Sequence, residues 1–415
     1  MSLEWGSVTN ARANGDGGLD LRSLIYTSLL ASTVGLGWSK DNLRTADKCY
    51  NDALYPNGTV KFACDASYGN QFVNGHFEEQ ISQTILATLS LGPVGISDQL
   101  SDRPDKPGAV PTSNKALVMS TCAKNGTLLR PSYPLTPIEP VLTLQEGWAP
   151  TPKCKGKPKP APPCPHPEPA PHVWATYTAV KSPASSGAGT ASAGAVASDG
   201  ADIYFTVVGY MNPPAGKDSW PSNYSKPITI KEQHLSTMID LDHLPTPGGF
   251  SDIPTGGFSG VGGTLPNSST IAGHVWWEAA NIAATGGGGG CAGVSPTTFG
   301  GEMTINLPKA GQSQPALVNI APVHGDIALL GEAGKVTAVS VFRFASVAPA
   351  AAAADDTNGG GGLEVHLRGV PGESVQLLFA KRGAARGGGA GGDSFACVAQ
   401  TTTIGADGTA VVTQA

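Results

Sequence analysis

Trp174-Ala-Thr-Tyr-Thr-Ala-Val180 and, further on, Ile203-Tyr-Phe-Thr-Val-Val-Gly-Tyr210 decide the fold of this chain. Both runs are short, apolar and rich in β-branched and aromatic residues, which suit a pleated surface better than a helix. Outward from them the same kind of run recurs at Pro227 to Ile230, His274 to Trp277, Met303 to Leu307, Ala316 to Ile320 and Val336 to Phe344. It recurs again at Leu363 to Leu367, Ser374 to Phe379 and Thr409 to Val412. Gly, Pro and Ser turns separate them, the pattern of an antiparallel β-sandwich or a pair of them. Ala/Gly/Ser tracts at 182–200, 255–272, 284–290, 348–362 and 383–393 interrupt the series. Such tracts bury too little apolar surface to order themselves and are expected to be mobile.

Before about residue 140 the pattern differs. Val8 to Ala13 is strand-like, and Leu21, Leu24, Ile25, Ser28, Leu29 and Ser32 recur at helical spacing until Gly35 and Gly37 stop the helix. A second helix is expected over 77–91, with Ile81, Ile85, Leu86 and Leu89 on one face. It runs into Gly92-Pro-Val-Gly-Ile-Ser-Asp98, which reads as a compact strand. Strands alternating with helices are the rhythm of a parallel barrel. The expected fold is therefore mostly β with an N-terminal α/β segment: a partial (β/α)8-barrel followed by antiparallel β-sandwich. The expected divisions are 1–135 for the barrel portion, 136–345 for a β-sandwich with Gly/Ala/Pro-rich insertions, and 346–415 for strands that complete or extend it.

Composition narrows the functional classes. The 415 residues allow two or three domains, and a net charge of -6 with charged residues at 14% leaves no basic stripe beyond Lys153 to Lys159. Nucleic acid is accordingly excluded as a partner. The apolar stretch from Ser23 to Trp38 is too short and too rich in Ser and Thr for a transmembrane segment, and reads as a core helix. None of the seven cysteines forms a CxxC pair, so no zinc or other metal site is expected. Cys49 with Cys64, and Cys154 with Cys164, bracket local loops in the manner of disulfides, while Cys122, Cys291 and Cys397 leave the remaining pairing open. Asn57, Asn125, Asn223 and Asn267 stand in Asn-x-Ser/Thr signals for glycosylation. Together these features suggest the secretory route, although Met1-Ser-Leu-Glu-Trp has neither a basic nor an apolar leader region, so a secreted protein would start upstream.

Glycoside cleavage needs one carboxylic acid to protonate the leaving oxygen and a second carboxylate to attack or to activate water. In Asn10-Ala-Arg-Ala-Asn-Gly-Asp16, Asp16 sits just before a helix and after a strand-like run, where such an acid belongs, with Arg12 four residues earlier. The same spacing also suits a plain helix N-cap or turn beside Gly15, Gly17 and Gly18. Other clusters read more simply. Trp276-Trp277-Glu278 could stack on a sugar, but strand alternation sends one Trp inward. His166, Glu168 and His172 flank a Pro-rich loop, Asp240, Asp242 and His243 read as solvated turn residues, and His324 with Asp326 as a turn feeding the next strand. No Gly-x-Ser-x-Gly elbow marks a serine hydrolase.

Helix 21–35 leads into Trp38-Ser-Lys-Asp41, helix 77–91 into Gly92 to Asp98, and then come Leu117-Val-Met and Asn125-Gly-Thr-Leu-Leu-Arg-Pro131. This succession, covering about residues 5–135, resembles the end of the catalytic domain of the raffinose synthase and alkaline α-galactosidase family, in the α-galactosidase clan. The resemblance implies a retaining glycoside hydrolase acting on α-galactosyl-type sugars without a cofactor, followed by a β-sandwich domain. It implies Asp16 as general acid/base and Arg12, Trp38, Asp41 and Asp98 as substrate-binding residues, with Asp41 at a turn after one barrel strand and Asp98 at the end of the last. Gly15 stands where the family has an acid, and the segment that carries the family's nucleophile has no counterpart here. The chain therefore reads as the C-terminal portion of such an enzyme, inactive alone. The competing expectation is a non-catalytic carbohydrate-binding or cell-surface β-sandwich protein, with carbohydrate again the partner.

Overall fold

The computed structural model describes residues 3–4, 38–43, 45, 77–91, 94–96, 114–138, 170–182, 200–212, 225–239, 271, 273–279, 290–308, 315–350, 362–383 and 394–414. The expected strand at 8–13, the helix at 21–35 and nearly all of the Ala/Gly/Ser tracts lie outside these residues. Strand β1 (Leu3–Glu4) pairs in parallel with β2 (Trp38–Leu43), and β2 in parallel with β3 (Val94–Ile96). Helix α1 (Phe77–Leu89) falls between β2 and β3 in the chain. Its 3–4 spacing does what the sequence expects: Ile81, Ile85, Leu86 and Leu89 are all buried. Leu91 ends the turn in the left-handed region at φ 66, ahead of Gly92 and Pro93. Helix α2 (Lys115–Met119) follows, started by Asn114, whose side chain accepts the Leu117 N–H at 3.0 Å.

The rest is mostly β. Strands β4 (Thr136–Pro137), β5 (Ala170–Ser182), β6 (Gly200–Asn212) and β7 (Ser225–Lys231) precede a short helix α3 (Glu232–Ser236). Then come β8 (Val275–Glu278), β9 (Thr297–Thr298), β10 (Glu302–Pro308), β11 (Ala316–Ala321) and β12 (Ile327–Glu332). The series closes with β13 (Phe344–Pro349), β14 (Leu363–Arg368), β15 (Ser374–Arg382), β16 (Phe395–Thr403) and β17 (Thr409–Gln414). One long sheet runs β17-β14-β13-β5-β6-β11-β8-β9, with β4 added on β5; β7 pairs with β10, and β12-β15-β16 form a third sheet.

Strands β5 and β6 are antiparallel along their whole length and are covered on both faces. Alternation assigns the faces. Val173, Ala175, Tyr177, Ile203, Phe205 and Val207 share a core with Met303, Ile305 and Leu307 of β10. On the opposite face Trp174, Val208 and Tyr210 pack with α1, while Val180 and Tyr204 join the core contributed by β12 and β15. The approach of β10 is close enough that a Cβ on Gly209 would lie 2.4 Å from the Leu307 side chain, so any larger residue there would have to displace the Leu307 methyl from the core. Burial on both faces explains why the two runs that decide the fold read as nearly continuous apolar stretches.

One expected strand is corrected. Val336 to Phe344 is a series of bends, and β13 begins only at Phe344. Its backbone finds partners elsewhere, with Val336 N–H bonded to Ser120 O at 2.9 Å and Arg343 and Phe344 N–H to Ser340 O. From this bent backbone Val336 and Val339 enter two different cores. Just before it, near the end of β12, Gly331 takes φ 112, and a Cβ there would sit 2.3 Å from Ala338 O. Strands β12 and β16 lie beyond those the sequence singles out. The turn at His324 does feed β12, through mutual hydrogen bonds of His324 and Ile327.

Candidate functional site

Of the residues matched to a sugar site, Trp38 and Asp41 fall in β2. Arg12, Asp16 and Asp98 lie outside the described residues, Asp98 two positions after the end of β3. Asp41 is not at a turn beyond a strand, as expected, but inside one: Lys40 pairs with Val94 and Leu43 with Ile96. Three steps on β2 against two on β3 put one extra residue at Asp41-Asn42, the mark of a β-bulge. A bulge bends its strand and re-aims the residue it carries, and bulges gather beside active sites.

Arg130, from the Leu-Leu-Arg phrase, ties this parallel unit to the sheets. Its guanidinium donates to Leu91 O at the end of α1 and lies 5.3 Å over the Phe342 ring, while its own carbonyl accepts the Ser340 hydroxyl at 2.7 Å. The turn entering β3 is thereby held from the β12–β13 connection. A second, buried network lies nearby. Arg343 donates from Nε to Glu332 at 2.8 Å and from Nη2 and Nη1 to the Glu373 carboxylate at 2.7 and 2.9 Å. Lys335 Nζ donates to Met119 O and Cys122 O, both at 2.7 Å, so Lys335 anchors the segment after α2 directly, and Arg343 reaches it only through Glu373, which accepts the Lys124 N–H at 3.0 Å.

A third cluster was not expected. Asp202 at the start of β6 and His324, in the turn between β11 and β12, meet at 2.8 Å with side chains 12% and 16% exposed. His274, just before β8, is electrostatically coupled to both and to Glu232 of α3. Burial pushes the His274 imidazolium down to about 4, against the opposing pull of Asp202 and Glu232 and with the help of His324. Glu232 is fixed by the Ile271 N–H at 2.6 Å. The residues are far apart in the chain, and only pairing of β11 with both β6 and β8 brings them together.

The sign of the resulting pH dependence is determined. A histidine whose folded pKa lies below 6.5 lets the unfolded chain bind a proton first, so stability is complete above about pH 6.5 and falls as pH drops toward about 4. His274→Gln is expected to remove on the order of 2 kcal/mol of that loss. Urea midpoints measured at about pH 7 and about pH 4.5 check it; parallel slopes for the two proteins would refute the assignment.

The remaining expectations resolve as follows. His172 is part of the core of β5, stacked 5.3 Å from both Trp174 and Tyr210, and not a loop ligand. Trp277 is buried, Trp276 packs half-buried on the opposite face, and Glu278 is exposed. Asp240, Asp242 and His243 lie outside the described residues, as do His166, Glu168, Cys49, Cys64, Cys154, Cys164, Asn57, Asn223 and Asn267. Cys291 is bonded to Cys397, and Cys122 is buried and free. Among the described residues no group of three or more His, Cys, Asp or Glu could hold a metal ion, and no helix is long and apolar enough to cross a membrane. Comparison with protein-family models, curated proteins and solved structures returns no match.

Proposed function

We propose that the chain is the C-terminal portion of a retaining glycoside hydrolase of the raffinose synthase and alkaline α-galactosidase type: the closing strands of a barrel followed by a β-sandwich. The parallel trio β1-β2-β3 carries this reading, with α1 between β2 and β3 and a bulge at Asp41-Asn42. Parallel barrels place their chemistry at the C-terminal ends of such strands. Asp16 is the general acid/base, protonating the leaving glycosidic oxygen and later deprotonating water. Arg12, Asp41 and Asp98 bind the α-galactosyl-type sugar, whereas Trp38, matched to the same role, is the first residue of β2 and stands at the other end of that strand. The nucleophile belongs to a barrel strand with no counterpart in this chain, so turnover needs that strand, and no cofactor is required. The Cys291–Cys397 bond supports passage through an oxidising, secretory compartment. The non-catalytic alternative has less to stand on, because Trp276 is packed against the core beside β11.

Hydrolysis of melibiose or raffinose by the protein expressed from its full reading frame tests the proposal. Both sugars have a leaving group that must be protonated. Asp16→Asn is expected to lower kcat by about a hundredfold or more with KM little changed. Wild-type kcat in that variant overturns the role of Asp16, and a full-length protein inert toward every α-galactoside overturns the family reading.

A further inference from the structure

Lys124-Asn125-Gly126-Thr127 is the tip of a tight hairpin whose base is the antiparallel bridge between Cys122 and Leu128. Ala123 N–H donates to Thr127 O at 2.8 Å, Gly126 N–H donates to Ala123 O at 2.9 Å, and Gly126 takes φ 86. The base is fixed from below: Cys122 and Ala123 are buried, and the Lys124 N–H donates to the Glu373 carboxylate at 3.0 Å. The tip is in water. Lys124, Asn125, Gly126 and Thr127 are all exposed, and a Cβ built on Gly126 would meet nothing within 4 Å.

We propose that Asn125 is an N-glycan acceptor. The Asn-x-Thr triplet is the sequence requirement, and exposure with open space on the Gly126 side is the structural one. Asn125 Oδ1 accepts the Thr127 N–H at 3.1 Å, which engages the carbonyl end of the side-chain amide and holds it beside the threonine of the triplet. In the transfer, Asn125 Nδ2 attacks the anomeric carbon of an oligosaccharide carried on a polyprenyl pyrophosphate. The N–C bond forms, the C–O bond to pyrophosphate breaks, the lipid pyrophosphate leaves, and one amide proton passes to a base of the transferase. Nothing is oxidised or reduced. Such donors act in compartments where disulfides persist, and the Cys291–Cys397 bond, on the other side of the chain sequence, is an independent mark of that environment. This inference does not rest on the sugar-cleaving role of Asp16. It also has a definite rival, because an exposed Asn-Gly pair is prone to spontaneous deamidation.

Peptide mapping separates the two. The protein is recovered from eukaryotic cells that express it through the secretory route, and is treated with peptide N-glycosidase in ¹⁸O water. The expected result is ¹⁸O-labelled aspartate at position 125, lost in Asn125→Gln and in Thr127→Ala and kept in Thr127→Ser. Unmodified Asn125, or unlabelled aspartate at that position, in molecules that carry the Cys291–Cys397 bond overturns the proposal.

Discussion

Arg343→Met lowers the free energy of unfolding by about 3–5 kcal/mol, the range for removing one partner of a buried ion pair. The arginine is 1% exposed and satisfies two carboxylates at once, Glu332 and Glu373, besides the Arg368 carbonyl at 2.9 Å. Methionine keeps much of the volume, so the cost is electrostatic: two carboxylates stay buried and lose their shared counterion. Lys335, at 3.6 Å from Glu332, compensates only that side. Glu373 keeps the N–H groups of Lys124 and Val370 and nothing of opposite charge.

Acid supplies a test that simple loss of packing would fail. Burial alone pushes the Glu373 carboxyl up, but hydrogen bonds from Arg343, Lys124 N–H and Val370 N–H outweigh it and hold it at about 2. A carboxylate depressed below 4.5 stabilises the fold above that pH, and the contribution drains away as pH falls from about 4.5 to about 2. In Arg343→Met the burial effect on Glu373 is unopposed by a cation, so its proton is taken up at higher pH and the penalty of burying charge disappears earlier. The stability gap between wild type and variant should therefore narrow below about pH 4. Urea titrations at neutral pH and at about pH 3 measure both parts; a gap constant with pH would show that the network is not held by charge.

How much of this was legible beforehand follows from the range of the interactions. Runs such as Met303 to Leu307 announce β10 because burial alternates residue by residue, and α1 announces itself through Ile81, Ile85 and Leu89. Both are local periodicities. Val336 to Phe344 has the composition of a strand but serves two cores from a bent backbone, and composition carries no record of that. The bulge at Asp41-Asn42 is a difference in count between β2 and β3, so it exists only once their register is set. Asp202 and His324 are likewise neighbours by sheet order alone; His324 with Asp326 reads as a turn, and nothing near it points to Asp202. Arg130 is the intermediate case. Its phrase is recognisable, but its hold on Leu91 O across the α1–β3 turn is not encoded in the spacing.

Replacing both Cys291 and Cys397 by serine is expected to cost about 4–5 kcal/mol, as chain entropy predicts for a cross-link that closes a loop of about 100 residues. The sequence separation is 106, spanning β9 through β15, so the bond restricts most of the C-terminal sheets in the unfolded chain. In the folded state it joins the segment before β9, at one end of the long sheet, to β16, the edge of the third sheet. Beside it Thr297 and Ser394 make a single antiparallel bridge between the same two regions. The site thus already has a non-covalent tie, and loss of the bond should act chiefly by enlarging the unfolded ensemble rather than by rearranging the native edge. Three consequences distinguish these possibilities in urea unfolding and hydrogen exchange. If the unfolded state dominates, each single Cys→Ser variant matches the double one, refolding slows more than unfolding quickens, and hydrogen exchange along β16 changes only through the global equilibrium. Fast local exchange confined to β9 and β16, with the global midpoint unmoved, would instead make the bond a latch on the native edge and defeat the entropic account.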